Sequence, residues 1–394
     1  MKHDLPTINL PMGDRELKPY SLRAPLDLPK AGEHPPVFNR IAYSAAHVVA
    51  DPFATTNPWL SAAIDWDATI AYRRHLWSLG LGVAEAMDTA QRGMGLDWAM
   101  SLELIRRSLD ASRDIPGALI ASGAGTDHLA GDRDYTVDEV IGAYEEQIGA
   151  IEKLGGRIIL MASRALTRSA RSPDDYARVY DQVLSQVKEP LVIHWLGEMF
   201  DPALAGYWGS PDHWQAMDTC LEILKRNAAK IDGIKISLLS KEKEIAMRRR
   251  LPAGVRMYTG DDFNYAELIA GDDAGHSDAL LGIFDAIAPV ASAALSSLAQ
   301  GDTSRFHDLL GPTVPLSRHI FQAPTRFYKT GVVFMAWLNG LQDHFVMVGG
   351  QQSARSLQHL SELFRHADQA GLLREPGLAC SRMRHYLATQ GVLG

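Results

Sequence analysis

The sequence predicts an α/β fold: a closed (β/α)8 TIM barrel with an N-terminal arm and a C-terminal helical extension. Three observations carry this. Eight short apolar runs alternate with amphipathic segments of helical period. Each gap between runs holds one helix, as parallel neighbours require. Beyond about residue 290 the strand signals stop and only helical patterning remains.

In chain order, residues 1–38 are rich in Pro, Leu and charge and read as an arm rather than a domain. The barrel is assigned to 39–290. Its expected strands are Arg40–His47, Gly82–Asp88, Gly117–Ser122, Arg157–Ala162, Leu191–Trp195, Gly233–Ile236, Val255–Tyr258 and Ala274–Ser277. Between them, Trp66–Leu79, Leu96–Ser112, Thr136–Leu154, Pro173–Val187, Pro211–Ala229 and Tyr265–Ala270 repeat apolar residues at helical spacing. The helix after the sixth strand, Lys241 to Arg250, is short and highly charged, and is expected to lie exposed. Residues 291–394 form the helical extension, broken at Gly301, Gly311, Gly349-Gly350 and Gly371. Its Val332-Val-Phe-Met-Ala-Trp337 run is almost wholly apolar, so that helix is buried against the barrel or against another subunit.

Composition excludes several classes. A chain of 394 residues with 46% hydrophobic and 22% charged residues is globular, and its net charge of −8 argues against a nucleic-acid partner. Cys220 and Cys380 lack metal-ligand spacing, which suits a reducing compartment. Met1 to Met12 has no apolar signal core, and no uncharged stretch reaches the ~18 residues that span a bilayer. A cytoplasmic protein without a membrane partner is the expectation. The apolar content of the extension favours a homodimer or homotetramer.

The most informative side chain is Lys235, in Asp-Gly-Ile-Lys-Ile (Asp232 to Ile236), a short apolar strand carrying one ammonium group. If it points into the barrel mouth, desolvation lowers its pKa from about 10.4 toward about 7 or 8 and makes it a nucleophile toward carbonyl carbon. The bland alternative is a lysine reaching past the strand end to solvent, satisfied by Asp232 or Glu244. Downstream, Tyr258-Thr-Gly-Asp-Asp262 ends the next strand in two acids. Asp261 and Asp262 either contact substrate hydroxyls or cap the following helix. His47, Ser122, His276 and Ser277 fall at other expected strand ends, where they contact substrate or simply bond loops.

These features resemble the dihydrodipicolinate synthase and N-acetylneuraminate lyase superfamily of Schiff-base aldolases, over roughly residues 40 to 375. Ile-Asp-Gly-Ile-Lys235 looks like the strand carrying that family's imine-forming lysine, and Tyr258-Thr-Gly-Asp-Asp262 like its Ser-Gly-Asp-Asp strand end. The departures are as informative. Where the family has Gly-Thr-Thr-Gly-Glu, a loop that holds the substrate carboxylate, this chain has Met87-Asp-Thr-Ala-Gln-Arg92. Thr89 survives, Asp88 would repel a carboxylate, and Arg92 can compensate. The family's Tyr-Asn-Val-Pro is His194-Trp-Leu-Gly197 here, and a histidine can take over the tyrosine's proton relay. Ser163-Arg-Ala165 replaces Pro-Tyr-Tyr, so the tyrosine contacted by a partner subunit is absent. The chain is similar to a divergent dihydrodipicolinate-synthase-like branch of unknown function.

The resemblance implies a class I aldolase or lyase acting without cofactor or metal on a small oxo-acid or sugar-derived carbonyl compound. Lys235 and His194 would be catalytic. Asp88, Thr89, Arg92, His47, Ser122, Asp261, Asp262, His276 and Ser277 would line the substrate. Two other readings stay open. His47, His194 and His276 with Asp88 or Asp261 can be drawn as ligands of a divalent metal in an aldolase or sugar isomerase. A barrel that binds a metabolite without turnover is the third.

Overall fold

The computed structural model describes residues 5–13, 16–28 and 34–392. The outer limits of the expected arm and extension, at residues 1 and 394, lie outside them. The arm forms an antiparallel hairpin of β1 (Thr7–Pro11) and β2 (Leu17–Ser21), with Ile8 and Leu10 buried. It packs on the C-terminal helices: Tyr20 donates its hydroxyl to Asp368 at 2.6 Å, and the backbone N–H of Leu26 bonds Gly371 O.

Eight parallel strands close the barrel in sequential order: β3 (Ala42–Ala45), β4 (Gly82–Glu85), β5 (Ile120–Ala124), β6 (Arg157–Met161), β7 (Leu191–Leu196), β8 (Ile231–Ser237), β9 (Arg256–Thr259) and β10 (Asp278–Leu281), with β10 pairing back to β3. The predicted fold class is therefore the observed one. Helices follow the strands, and their starts obey the sequence: Asp65 accepts from Ala68 N–H, Asp97 from Met100 N–H, and Thr136 with Glu139 forms a capping box.

Seven expected strands overlap observed ones, but the eighth does not. Residues 272–275 form a tight bridge, Gly275 has φ +136°, and the strand begins only at Asp278, whose carboxylate accepts the N–H of Ile41 at 2.8 Å. Apolar Ala279, Leu280 and Leu281 do the pairing. Ala274–Ser277 is thus the lead-in, at the end of the barrel opposite the mouth.

Alternation along the strands sorts the core into two compartments. Tyr43, Ala84, Ala121, Ile159, Val192, Tyr258 and Leu280 fill the barrel interior, while residues such as Val83, Ile193, Ile234 and Ile236 meet the helices. Glu85 lies on the outer side too, and is fully buried. It takes two hydrogen bonds from Arg73, each 2.9 Å, and one from Ser108 at 2.6 Å.

The charged helix Lys241–Arg248 is not simply exposed, as expected. Its Glu244 and Met247 are buried, the carboxyl accepting from Thr259 and Ser277. In the extension, every residue of the helix Tyr328–Leu338 is buried by the chain's own residues. That removes the argument for an oligomer that rested on its apolar content.

Candidate active site

The side chains of β8 alternate. Ile234 and Ile236 face the helices, whereas Lys235 and Ser237 turn toward the barrel interior and line a pocket at the strands' carboxyl ends. Gly233 leaves room below them, because a Cβ there would stand 2.6 Å from the Tyr258 ring. A Cβ at Gly260 would overlap Ser237 Oγ and stand 2.7 Å from Lys235 Cε. The glycine before the two acids is what lets β9 pass this close to the lysine.

Lys235 is 7% exposed, and among the described residues its Nζ has no hydrogen-bond or ion-pair partner. The structural ion pair to Asp232 or Glu244 does not form: Asp232 binds Arg256 and Tyr258, and Glu244 binds Thr259 and Ser277. Burial lowers the amine's pKa, opposed by the charges of Asp262 and Asp88. Burial also raises the Asp262 carboxyl, to about 7. The two groups therefore compete for protons, and the dry pocket favours the uncharged form of each.

His194 stands opposite Lys235 in the β7–β8 register, and its Nε2 lies 3.1 Å from Ser237 Oγ. It is 1% exposed, and burial, then the charge of Lys235, holds its pKa well below the usual histidine value. The ring is neutral at neutral pH. Its ordinary pKa, the reason for expecting a matched acid–base group, does not apply here, and the Ser237 hydroxyl is its hydrogen-bond partner on the pocket side.

The two acids divide their tasks. Asp261 is a turn-former: its carboxylate accepts from the N–H groups of Phe263 and Asn264 and from the Asn264 amide. Asp262 faces the pocket while one oxygen accepts the Ile283 N–H at 2.9 Å. Asp88 and Thr89 line the same pocket, and Thr89 Oγ1 is 2.8 Å from the hydroxyl of Tyr328.

Four expected contacts are corrected. His47 is fully enclosed, with Nδ1 2.9 Å from Asp285 and Nε2 3.1 Å from Gln342, and it does not line the pocket. Ser122 alternates with the inward Ala121 and so faces the helical layer, where its hydroxyl has no partner among the described residues. His276 and Ser277 precede β10, His276 exposed and Ser277 bonded to Glu244. The metal set drawn from the histidines is thereby dispersed, and among the described residues no three His, Cys, Asp or Glu side chains form a metal-holding group. Arg92 does edge the outer cavity, but its guanidinium is tied to Asp127 at 2.6 Å and to Gln147. It is not free to compensate Asp88.

The sequence reading missed Ser237, Tyr328 and Phe200. Ser237 was recoverable, since two residues beyond an inward lysine lies another inward position. Tyr328 and Phe200 come from the extension and from the loop after β7, whose placement no local pattern reports.

This arrangement defines a closed (β/α)8 barrel with a buried lysine at the carboxyl ends of its strands. The chain is similar in fold to 4-hydroxy-tetrahydrodipicolinate synthase from Methylacidiphilum fumariolicum SolV, with TM-score 0.61 and 15% identity over 88% of this chain and 98% of that one. It is also similar to YagE, a prophage protein of the dihydrodipicolinic acid synthase family from E. coli K12 solved with pyruvate, with TM-score 0.62 and 13% identity over 90% and 100%. A monomeric dihydrodipicolinate synthase variant matches with TM-score 0.60 and 15% identity over 87% and 100%. A family model described as "Protein of unknown function (DUF993)" matches residues 8–392, and the chain belongs to that family. No curated protein matches it.

Proposed function

We propose that the protein is a class I aldolase or lyase that forms an imine between Lys235 and a small oxo compound. One observation carries the reading: a buried lysine amine with no counter-ion in bonding reach among the described residues, facing a pocket at the carboxyl ends of the strands. Nζ attacks the carbonyl carbon, and the oxygen leaves as water after protonation. The resulting iminium takes up the electron pair when the neighbouring carbon–carbon bond breaks, while the proton of the substrate hydroxyl passes to a base. His194 acting through Ser237 supplies that base, because a neutral imidazole accepts a proton that the hydroxyl relays. Asp262 holds or releases the proton that decides whether Lys235 is free. Tyr328, kept protonated by burial, is a hydrogen-bond donor at the pocket wall. Reaction reverses to an aldol condensation through the same enamine.

Borohydride reduction in the presence of a panel of keto acids and keto sugars, followed by peptide mass mapping, tests this. An adduct on the Lys235 peptide, absent from Lys235→Met, is expected. Trapping at another lysine, or at none while a panel member is turned over, would sink the imine mechanism. Assembly into a homodimer or homotetramer belongs to the proposal. The exposed Phe53, Trp59 and Leu60 are apolar surface that a second copy would cover, and sedimentation is its test.

A further inference from the structure

The pocket at Lys235 is small: about 10 Å³, room for roughly one water molecule. Only the carbonyl end of a substrate fits against the amine. Directly outside lies a cavity of about 390 Å³ that shares Asp88, Leu196, Phe200 and Tyr328 with the inner pocket. A second cavity, of about 630 Å³, shares Asp88, His194 and Leu196 with the inner pocket, so the rest of the substrate has two ways to extend, and the charges favour the first.

The charges of that outer cavity are unbalanced. Lys329, next to Tyr328 at the start of its helix, is 4% exposed, and among the described residues its Nζ meets the Arg326 carbonyl oxygen at 3.0 Å, Met94 Sδ at 3.3 Å and the face of the Tyr328 ring at 4.9 Å. Among the described residues no carboxylate pairs with it. Burial lowers its pKa to about 8, which still leaves the amine mostly charged at neutral pH. A buried ammonium without a counter-ion is costly, and a bound anion would relieve that cost. Arg326 is exposed on the same cavity and likewise has no carboxylate partner among the described residues. The other two cations here are compensated, Arg92 by Asp127 and Arg164 by Asp201 at 2.5 Å. Asp88 sits between the two lysines and bears on both.

Resting on the imine reading for the other end of the molecule, we propose that Lys329 and Arg326 hold a phosphate ester borne by the substrate at the end remote from its carbonyl. Two cations that have no carboxylate in bonding reach among the described residues suit the doubly charged head of a phosphate monoester, about −1.5 to −2 at neutral pH, and Asp88 on the same cavity offsets part of their charge from longer range. The substrate class that follows is a phosphorylated keto or aldehydo compound, and Asp88, between the two sites, would accept a hydroxyl of the carbon chain.

The test has two arms. Inorganic phosphate is titrated into the full-length protein at constant ionic strength, following thermal stability, for the unmodified chain, Lys329→Met, Arg326→Ala and Lys235→Met. Phosphate should stabilise the unmodified chain and Lys235→Met, and bind at least about tenfold more weakly to the other two. Arg326 is exposed, so Arg326→Ala remains informative if Lys329→Met fails to fold. No stabilisation of the unmodified chain, or undiminished binding in Arg326→Ala and any folded Lys329→Met, would overturn the site. The second arm compares borohydride trapping of dihydroxyacetone phosphate and dihydroxyacetone. Preference for the phosphorylated ketone that is lost in Arg326→Ala supports the assignment, and equal trapping overturns it. If phosphate binds as expected and a panel compound is turned over but none is trapped, the anion site stands and the imine reading falls.

Discussion

The imidazole of His194 reaches the hydroxyl of Ser237 at 3.1 Å, across the seam between β7 and β8 and two residues beyond Lys235. A neutral ring, a hydroxyl and an amine thus share one inward face of adjacent strands, and the proposed imine chemistry would draw on all three for its proton transfers.

Removing the hydroxyl separates the ring from the reaction. Ser237→Ala should slow turnover by about 10²-fold or more, the usual worth of a general acid–base path, while leaving the protein folded. Comparing kcat with the rate of borohydride-trapped adduct formation locates the effect. A variant as fast as the parent would show that His194 works by another route or not at all.

The proton balance at Lys235 gives a pH signature. Burial lowers the amine's pKa, so the midpoint for trapping should fall below the about 10.4 of ordinary lysine. The Asp262 charge opposes that shift, so Asp262→Asn should move the midpoint to still lower pH. An upward displacement in that variant would contradict the coupling.

At Gly260 the constraint is spatial. A methyl group there would overlap Ser237 Oγ and stand 2.7 Å from Ile236 O, a backbone atom held in place by the N–H of Gly260 itself at 2.9 Å. Gly260→Ala should cost about 1–3 kcal/mol in urea denaturation and lower the yield of Lys235 adduct. Unchanged stability with full adduct formation would mean that β9 moves more freely than described.

Glu244 links pH to stability. Its buried carboxyl keeps its proton up to about 8, whereas the unfolded chain releases it around the ordinary 4.5. Between those values the unfolded state binds fewer protons, so stability falls as pH rises through the window, by on the order of a few kcal/mol. Glu244→Gln cannot titrate and should flatten that decline. Denaturation curves at about pH 5 and about pH 8 for both proteins make the comparison; parallel slopes would refute it.

Much of the barrel was legible because alternation and helical period act locally. The Lys235 strand, the Gly-Asp-Asp turn and the helix Tyr265–Ala270 appear where their patterns place them. The eighth strand was misplaced because Asp278 reads as a strand end, when its carboxylate instead braces the first strand's entry. That error carried His276 and Ser277 to the wrong end of the barrel. Ser122 was lost to parity, one residue from an inward position, and His47 to a partner, Asp285, 238 residues away. Which of the two acids caps and which faces the pocket depends on the path of the chain at Ile283, beyond the reach of any spacing rule.

The fully buried helix Tyr328–Leu338 brings Tyr328 and Lys329 over the opening of the barrel, with Thr89 tied to Tyr328 across 239 residues of chain. On the proposed function, changes at Tyr328 or Lys329 would therefore alter what the enclosure admits from a part of the chain that contributes no strand to the barrel.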